Sequence, residues 1–191
     1  MMQNKRYTYL DRVAERAFWA HADCNHKYAG DLPYSFHLKM AAAVADQFKH
    51  LLSEKREHYV VEADLMLSDY EIAKSAVYFH DAIEDARMTY NDVRKLIGEK
   101  AADAVYAVTN EKGKNRAERA NDKYYQGIRE TPLATFVKLC DRIANVKYGQ
   151  MVGSRMAEMY RKENPDFVKK LGYNEEHPLA EMFDHLNDLL K

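Results

Sequence analysis

Three stretches of this chain repeat apolar residues at three- and four-residue spacing, and each carries a histidine or an aspartate beside its stripe. Met40, Val44, Phe48 and Leu51 form the first, and His37 extends it upstream. Ile72, Ala76, Phe79 and Ile83 form the second, with His80 at its inner edge and Asp81 next to it. Leu133, Val137, Cys140 and Ala144 form the third, with Asp141 on its flank. Residues three and four apart share one face of a helix, so the spacing predicts amphipathic helices with polar groups at the core margin. Sustained period-two alternation is absent; Tyr59-Val-Val-Glu62 is a short strand candidate, and charge flanks it. Strong breakers are few, with 7 Gly and 4 Pro. The expected fold is all-α, a bundle of about eight or more helices.

Helix ends are signalled locally. Ser68-Asp-Tyr-Glu71 reads as a capping box, in which hydroxyl and carboxylate satisfy free backbone N–H groups reciprocally. Thr89-Tyr-Asn-Asp92 is a weaker version of the same start. Thr131-Pro132 offers a cap residue followed by proline at a first helical position. Gly98 stands where a helix ending at Leu96-Ile97 needs a left-handed residue.

The 191 residues suit one domain, 1–191, with the helices of 151–191 packing on its core or joining a second copy. A monomer or a homodimer is expected. A net charge of -1 argues against a nucleic-acid partner bound through phosphates. The start, Met1 to Tyr7, is polar, and no apolar run spans a membrane, so a cytoplasmic location is the default expectation. Cys24 and Cys140 make no disulfide framework.

Two imidazoles and two carboxylates, His37, His80, Asp81 and Asp141, can together hold a divalent cation. Nitrogen and oxygen donors without thiolate suit Mn, with Fe, Co and Zn as alternatives. Such a cation lowers the pKa of its water from about 15.7 toward about 7. Glu84 and Asp85, one turn beyond, can take or steer a proton. Each group taken singly has a blander reading. An inward histidine is commonly a hydrogen-bonded core residue, Glu84-Asp85 an exposed helix face, and Asp141-Arg142 a structural ion pair. By composition and spacing alone the two readings stand level.

The segments Lys27-Tyr-Ala-Gly-Asp-Leu-Pro-Tyr-Ser-Phe-His37, Phe79-His-Asp-Ala-Ile-Glu-Asp85, Ala107-Val-Thr109 and Lys138-Leu-Cys-Asp-Arg-Ile-Ala-Asn145 resemble the HD phosphohydrolase superfamily. Within it they are similar to the alarmone hydrolase domain of the RelA/SpoT family, especially its small stand-alone members. The resemblance runs from about Phe18 to Gly149 and implies a helical HD fold. It implies that His37, His80, Asp81 and Asp141 hold one metal, usually manganese, and that Glu84 and Asp85 orient and activate water. It implies Asn145 beside the nucleotide sugar, Lys27 near the base and phosphates, and Tyr34 shaping the pocket. Lys138 and Arg142 complete the expected substrate contacts. The implied reaction is removal of the 3′-diphosphate from guanosine tetra- or pentaphosphate. The chain departs from the family at Lys27, where an Arg is common, and at Asn110, where Lys often follows Val-Thr. Residues 52–69 are longer and more charged than the usual link.

Rival readings keep the chemistry but change the nucleotide, to NADPH or a nucleoside monophosphate, or drop catalysis for nucleotide sensing. A di-iron carboxylate bundle needs Glu-x-x-His repeats, and the chain has none. Lys112, Lys114, Arg116, Arg119 and Lys123, diluted by Glu111, Glu118 and Asp122, read as a solvated mixed-charge segment or as a basic flap over the pocket. Tyr124 and Tyr125 read as core aromatics. His21 and His26, near Lys27, read as pocket neighbours or as exposed residues, with exposure the expectation. His58 and His185 follow Glu54 and Glu181 by four residues, a surface-pair spacing, whereas His50 and His177 have no evident partner.

Overall fold

The computed structural model describes residues 7–61, 64–110 and 113–191, apart from the side chains of Arg116 and Ala117. Helices dominate, as the apolar spacing requires. They are α1 (Tyr9–Asp23), α2 (Ser35–Gln47), α3 (Asp69–Phe79), α4 (Ala82–Asp85), α5 (Tyr90–Ile97), α6 (Glu99–Val108), α7 (Arg116–Arg119), α8 (Asp122–Glu130), α9 (Ala134–Met151), α10 (Arg155–Lys170) and α11 (Ala180–Leu189). The all-α expectation holds. No helix among the described residues is long and apolar enough to cross a membrane.

Helices α2, α3 and α9 pack on one another at the centre. Their inward stripes are buried as the spacing predicted: Val44 and Phe48 from the first, Ile72, Ala76 and Phe79 from the second, Val137, Cys140 and Ala144 from the third. Helix α1 covers α3, and α6 packs on α3 and α9. Helices α10 and α11 lie against α9, burying Tyr160, Phe167, Met182, Phe183 and Leu186.

The capping boxes form. Ser68 Oγ accepts from Glu71 N at 3.3 Å while Glu71 Oε2 accepts from Ser68 N at 2.9 Å. Thr89 and Asp92 repeat the arrangement, and Thr8 with Asp11 supplies a third that the sequence reading passed over. Thr131-Pro132 does not start a helix. Thr131 instead ends α8, donating its N–H to Gly127 O at 3.1 Å, and its own carbonyl accepts from Ala134 N at 3.2 Å. Leu133 sits between them at φ 67, so α9 begins two residues later than the proline suggested.

The second stripe is also not one helix. Helix α3 stops at Phe79, and Asp81 takes φ -103, ψ 3 before α4 begins. The His80 Nδ1–H donates to Val77 O at 2.7 Å, occupying a carbonyl that the next helical turn would use. The bend puts His80 and Asp81 at a corner.

Strands do occur, contrary to the sequence reading. Lys27–Tyr28 (β1) pairs with Leu32–Pro33 (β2), and Arg56–Val60 (β3) pairs antiparallel with Asp64–Ser68 (β4). The candidate strand near Tyr59 starts earlier than expected, at Arg56; its last residue, Glu62, lies outside the described residues. Charged side chains face solvent on this ribbon, which hid its pattern. One ring anchors it: Tyr59 is buried, and its hydroxyl accepts from Ala101 N at 2.9 Å. Three histidines are also partnered or placed differently. His58 faces Asp64 rather than Glu54, Glu181 binds His50 at 2.9 Å, and His185 packs against Phe48.

Gly98 joins α5 to α6 at φ +79, and a Cβ there would lie 2.4 Å from the Tyr59 ring. A side chain is thus opposed by both backbone and packing. Gly98→Ala is expected to lower unfolding free energy by about 2–4 kcal/mol in urea denaturation. A change under about 0.5 kcal/mol would contradict the described packing.

Candidate metal centre and cavity

The corner after α3 turns His80 toward His37 on α2 and Asp141 on α9. His37 Nε2 and His80 Nε2 stand 3.1 Å apart. Asp141 Oδ1 lies 3.4 Å from the first and 3.6 Å from the second. Asp81 Oδ2 is 2.9 Å from His80 Nε2 and 3.9 Å from His37 Nε2. His37, His80 and Asp141 form a group able to hold a metal ion, and Asp81 stands beside it. Both imidazoles are buried.

The donor set fits a cation. Ligands about 2.0–2.2 Å from one ion stand roughly 3–3.5 Å from each other, which is the spacing of His37, His80 and Asp141. The bond to Val77 O fixes the proton of His80 on Nδ1 and turns the Nε2 lone pair inward. Without a cation, that same position draws a proton. Burial disfavours charge on His80, yet Asp81 and Asp141 outweigh it and raise its pKa well above the usual histidine value. Burial likewise opposes ionisation of Asp141, but Lys138 and the two imidazoles hold its carboxyl well below the usual carboxylate range.

Helix α9 arranges the polar stripe seen in the sequence. Lys138 Nζ donates to Asp141 Oδ2 at 3.1 Å. Asn145 Nδ2 donates to Asp141 Oδ1 at 2.6 Å, and its own Oδ1 accepts from the Tyr28 hydroxyl at 2.9 Å. Asp141 is therefore held on both oxygens. Arg142 is buried, bonded to Glu163 at 3.1 Å, with its guanidinium 4.5 Å from the Tyr160 ring and 4.2 Å from that of Phe167. It ties α9 to α10.

A cavity of about 780 Å³ opens from this cluster. Asp81, Glu84, Lys138, Asp141 and Asn145 line its near end; Arg142, Tyr160, Glu163, Phe167 and Lys170 line the far wall. Asn110 and Arg119 are part of the lining, as are Tyr124 and Tyr125, which are also buried core rings. From the charged segment, Glu111 and Lys112 lie outside the described residues. Lys114 and Asn115 turn inward on Glu118, so part of this segment satisfies itself.

Glu84 and Asp85 diverge. Glu84 faces the cavity, with Asn110 Nδ2 at 3.0 Å from each of its oxygens. Asp85 is not among the lining residues and turns to His26, whose Nε2 is 4.0 Å away. Burial and the charge of Asp81 raise the pKa of Asp85. Tyr34 donates its hydroxyl to Asp81 Oδ2 and is not itself among the lining residues. Lys27 is exposed on β1, and no described contact joins it to the cluster.

Sequence reasoning missed four contributors. Tyr28 stacks on His37 at 4.9 Å and reaches Asn145. His21 and His26 share a 2.9 Å bond between their Nδ1 atoms, and both rings stack on Tyr34. His21 is buried rather than exposed, because it sits one helical turn below Ala17 on the inner face of α1. Asn110 is the fourth; the sequence marked it only as a departure from the Lys that often follows Val-Thr.

No family model matches the chain. A solved structure of a metazoan ortholog of SpoT, described as hydrolysing ppGpp and acting in starvation responses, superposes with TM-score 0.66, 19% identity and 96% coverage of both chains. This chain has the HD-type helical fold. Two curated relatives are guanosine-3′,5′-bis(diphosphate) 3′-pyrophosphohydrolases named MESH1. The Danio rerio protein is 28% identical over 81 residues, covering 42% of this chain and 44% of that protein. The Drosophila melanogaster protein is 25% identical over 88 residues, covering 46% and 49%. An Aquifex aeolicus enzyme of the same activity is 36% identical over 75 residues, 38% of this chain and 11% of that one. The chain thus matches under half the length of these relatives. The resemblance to small stand-alone alarmone hydrolases is borne out by these likenesses.

Burial, opposed by Asp81, lowers the pKa of His21 from 6.5 to about 4. The fold therefore keeps this ring neutral, and its stabilisation is complete above 6.5 and lost as pH falls from 6.5 toward 4. Between about pH 7 and about pH 5 the intact protein is expected to lose about 2 kcal/mol more than His21→Gln in urea unfolding. Equal losses would contradict a buried neutral His21.

Proposed function

We propose that this chain is a metal-dependent phosphohydrolase acting on a nucleotide, and that it removes pyrophosphate from the 3′ position of guanosine tetra- or pentaphosphate. The observation that carries the reading is the convergence of His37, His80 and Asp141 at 3.1–3.6 Å, with Asp81 adjoining, at the end of a cavity roomy enough for a nucleotide. The likeness to three 3′-pyrophosphohydrolases supports the choice of substrate.

In this reading His37, His80, Asp81 and Asp141 hold one divalent ion, taken as manganese, with iron, cobalt and zinc as alternatives. When bound, that ion supplies a Lewis acid that polarises the phosphoryl oxygen and acidifies water. The chain's own residues do the rest. Glu84, at the cavity wall, orients the attacking water and takes its proton. Asp85, whose pKa is raised, stands behind it as a proton acceptor toward His26. Lys138 keeps Asp141 ionised and adds positive charge where phosphoryl charge develops. Asn145, fixed by Tyr28, lies where a ribose hydroxyl can bond. Tyr34 steers Asp81, and Arg142, in the cavity lining, belongs to the outer substrate contacts.

The test is product analysis with purified protein and manganese on ppGpp, NADPH and nucleoside monophosphates. Pyrophosphate from ppGpp is the expected product. Orthophosphate from the others instead would move the substrate, and silence across the panel would remove the enzyme reading. Glu84→Ala is expected to retain bound metal and nucleotide while turnover falls about 10²–10⁴-fold. Asp141→Asn is expected to lose metal and turnover together, read by metal analysis and product release; a fully metallated Asp141→Asn variant would contradict its place among the ligands.

A further inference from the structure

Asn110 lies 26 residues beyond Glu84 in the chain, yet it holds that carboxylate with three contacts. Its side-chain Nδ2 is 3.0 Å from Oε1 and 3.0 Å from Oε2, and its backbone N is 3.3 Å from Oε2. Both residues line the cavity. Among the described residues, no cation is paired with Glu84. Three of the cavity's other carboxylates have a lysine or arginine instead. Asp141 is paired with Lys138, Glu163 with Arg142, and Asp166 with Lys170. A lysine or arginine at 110 would hold Glu84 too, but it would also neutralise it.

The local structure explains why Asn110 can reach. Helix α6 ends at Val108, where Thr109 leaves the helix at φ -68, ψ 126. The Thr109 hydroxyl donates back to Val105 O at 2.9 Å and closes that end. The chain then departs extended, with the next backbone N–H and its side-chain amide on the same carboxylate. Glu84 meanwhile belongs to the four-residue helix α4, a short support with little rigidity of its own. A carboxylate on such a turn needs an outside partner to keep one rotamer.

We infer that Asn110 is the positioning residue for Glu84, aiming its carboxylate into the cavity with neutral donors that anchor it without cancelling its charge. This goes beyond the proposed hydrolase reading but rests on Glu84 acting on water there. The amide binds Glu84 before and after substrate enters, so its loss disorders the acceptor rather than the nucleotide. Charge-assisted bonds of this kind are strong ones. Their removal is expected to act on turnover, with substrate affinity nearly unchanged.

The experiment has two arms. In the first, Asn110→Ala and Asn110→Asp are compared with the intact protein, with manganese and ppGpp. The expected result is a kcat lower by about 10- to 100-fold in Asn110→Ala and lower still in Asn110→Asp, whose carboxylate repels Glu84, with KM within about twofold in both. Asn110→Gln, which retains an amide, is expected to recover part of kcat. A change confined to KM, or full turnover in Asn110→Asp, overturns the inference. The second arm needs no turnover. In ¹⁵N-labelled protein, the Asn110 side-chain amide proton signals are expected to move upfield in Glu84→Ala. Signals that stay in place overturn the inference even if the enzyme is active. If those signals move but no nucleotide is hydrolysed, the hydrolase reading fails while the contact stands.

Discussion

Two imidazole nitrogens facing each other at 3.1 Å inside a protein are a demanding arrangement. One of them is committed as a lone-pair donor by the bond between His80 Nδ1 and Val77 O. Either a proton donated from His37 Nε2 or added positive charge must then lie between them. Asp81 and Asp141 supply the field that makes such charge favourable, and Lys138 prevents Asp141 from being lost to protonation. Much of the molecule can be read as what is needed to bring these groups together. Helices α2, α3 and α9 must meet, α3 must stop at Phe79, and α9 must present one polar edge to the cluster.

Burial alone would oppose this cluster, since ionised groups away from water are costly unless paired. The chain answers with a continuous set of partners. Tyr28, Asn145 and Lys138 surround Asp141, and Tyr34 bonds Asp81 beneath a hydrogen-bonded pair of histidines. Each partner is itself held by a neighbour. That continuity distinguishes the cluster from scattered acidic residues on a surface.

What the sequence disclosed was whatever has a period or a local rule. The inward stripes, the capping boxes at Ser68 and Thr89, and Gly98 depend on neighbours within four residues, and they were legible. So was the grouping of His37, His80, Asp81 and Asp141 as candidates, because the resemblance ordered them. Contacts between distant segments were not legible. Tyr28 meeting Asn145 and Asn110 meeting Glu84 leave no local trace. Proline at 132 misled because the left-handed Leu133, not the proline, sets where α9 begins. The ribbon of β3 and β4 escaped because charge on its solvent side masks the alternation, with only Tyr59 buried on β3. The divergence of Glu84 and Asp85 escaped because a helix was extended through a corner that His80 itself makes.

The Arg142 guanidinium, layered between Tyr160 and Phe167, makes α10 a structural wall of the cavity rather than an appendage. None of the four converging donors comes from that helix. Residues such as Tyr160, Glu163 and Lys170 can thus drift and reshape the chamber while the histidine–aspartate corner stays intact. Homologous chains would then diverge soonest in the chamber's outline and last at its floor.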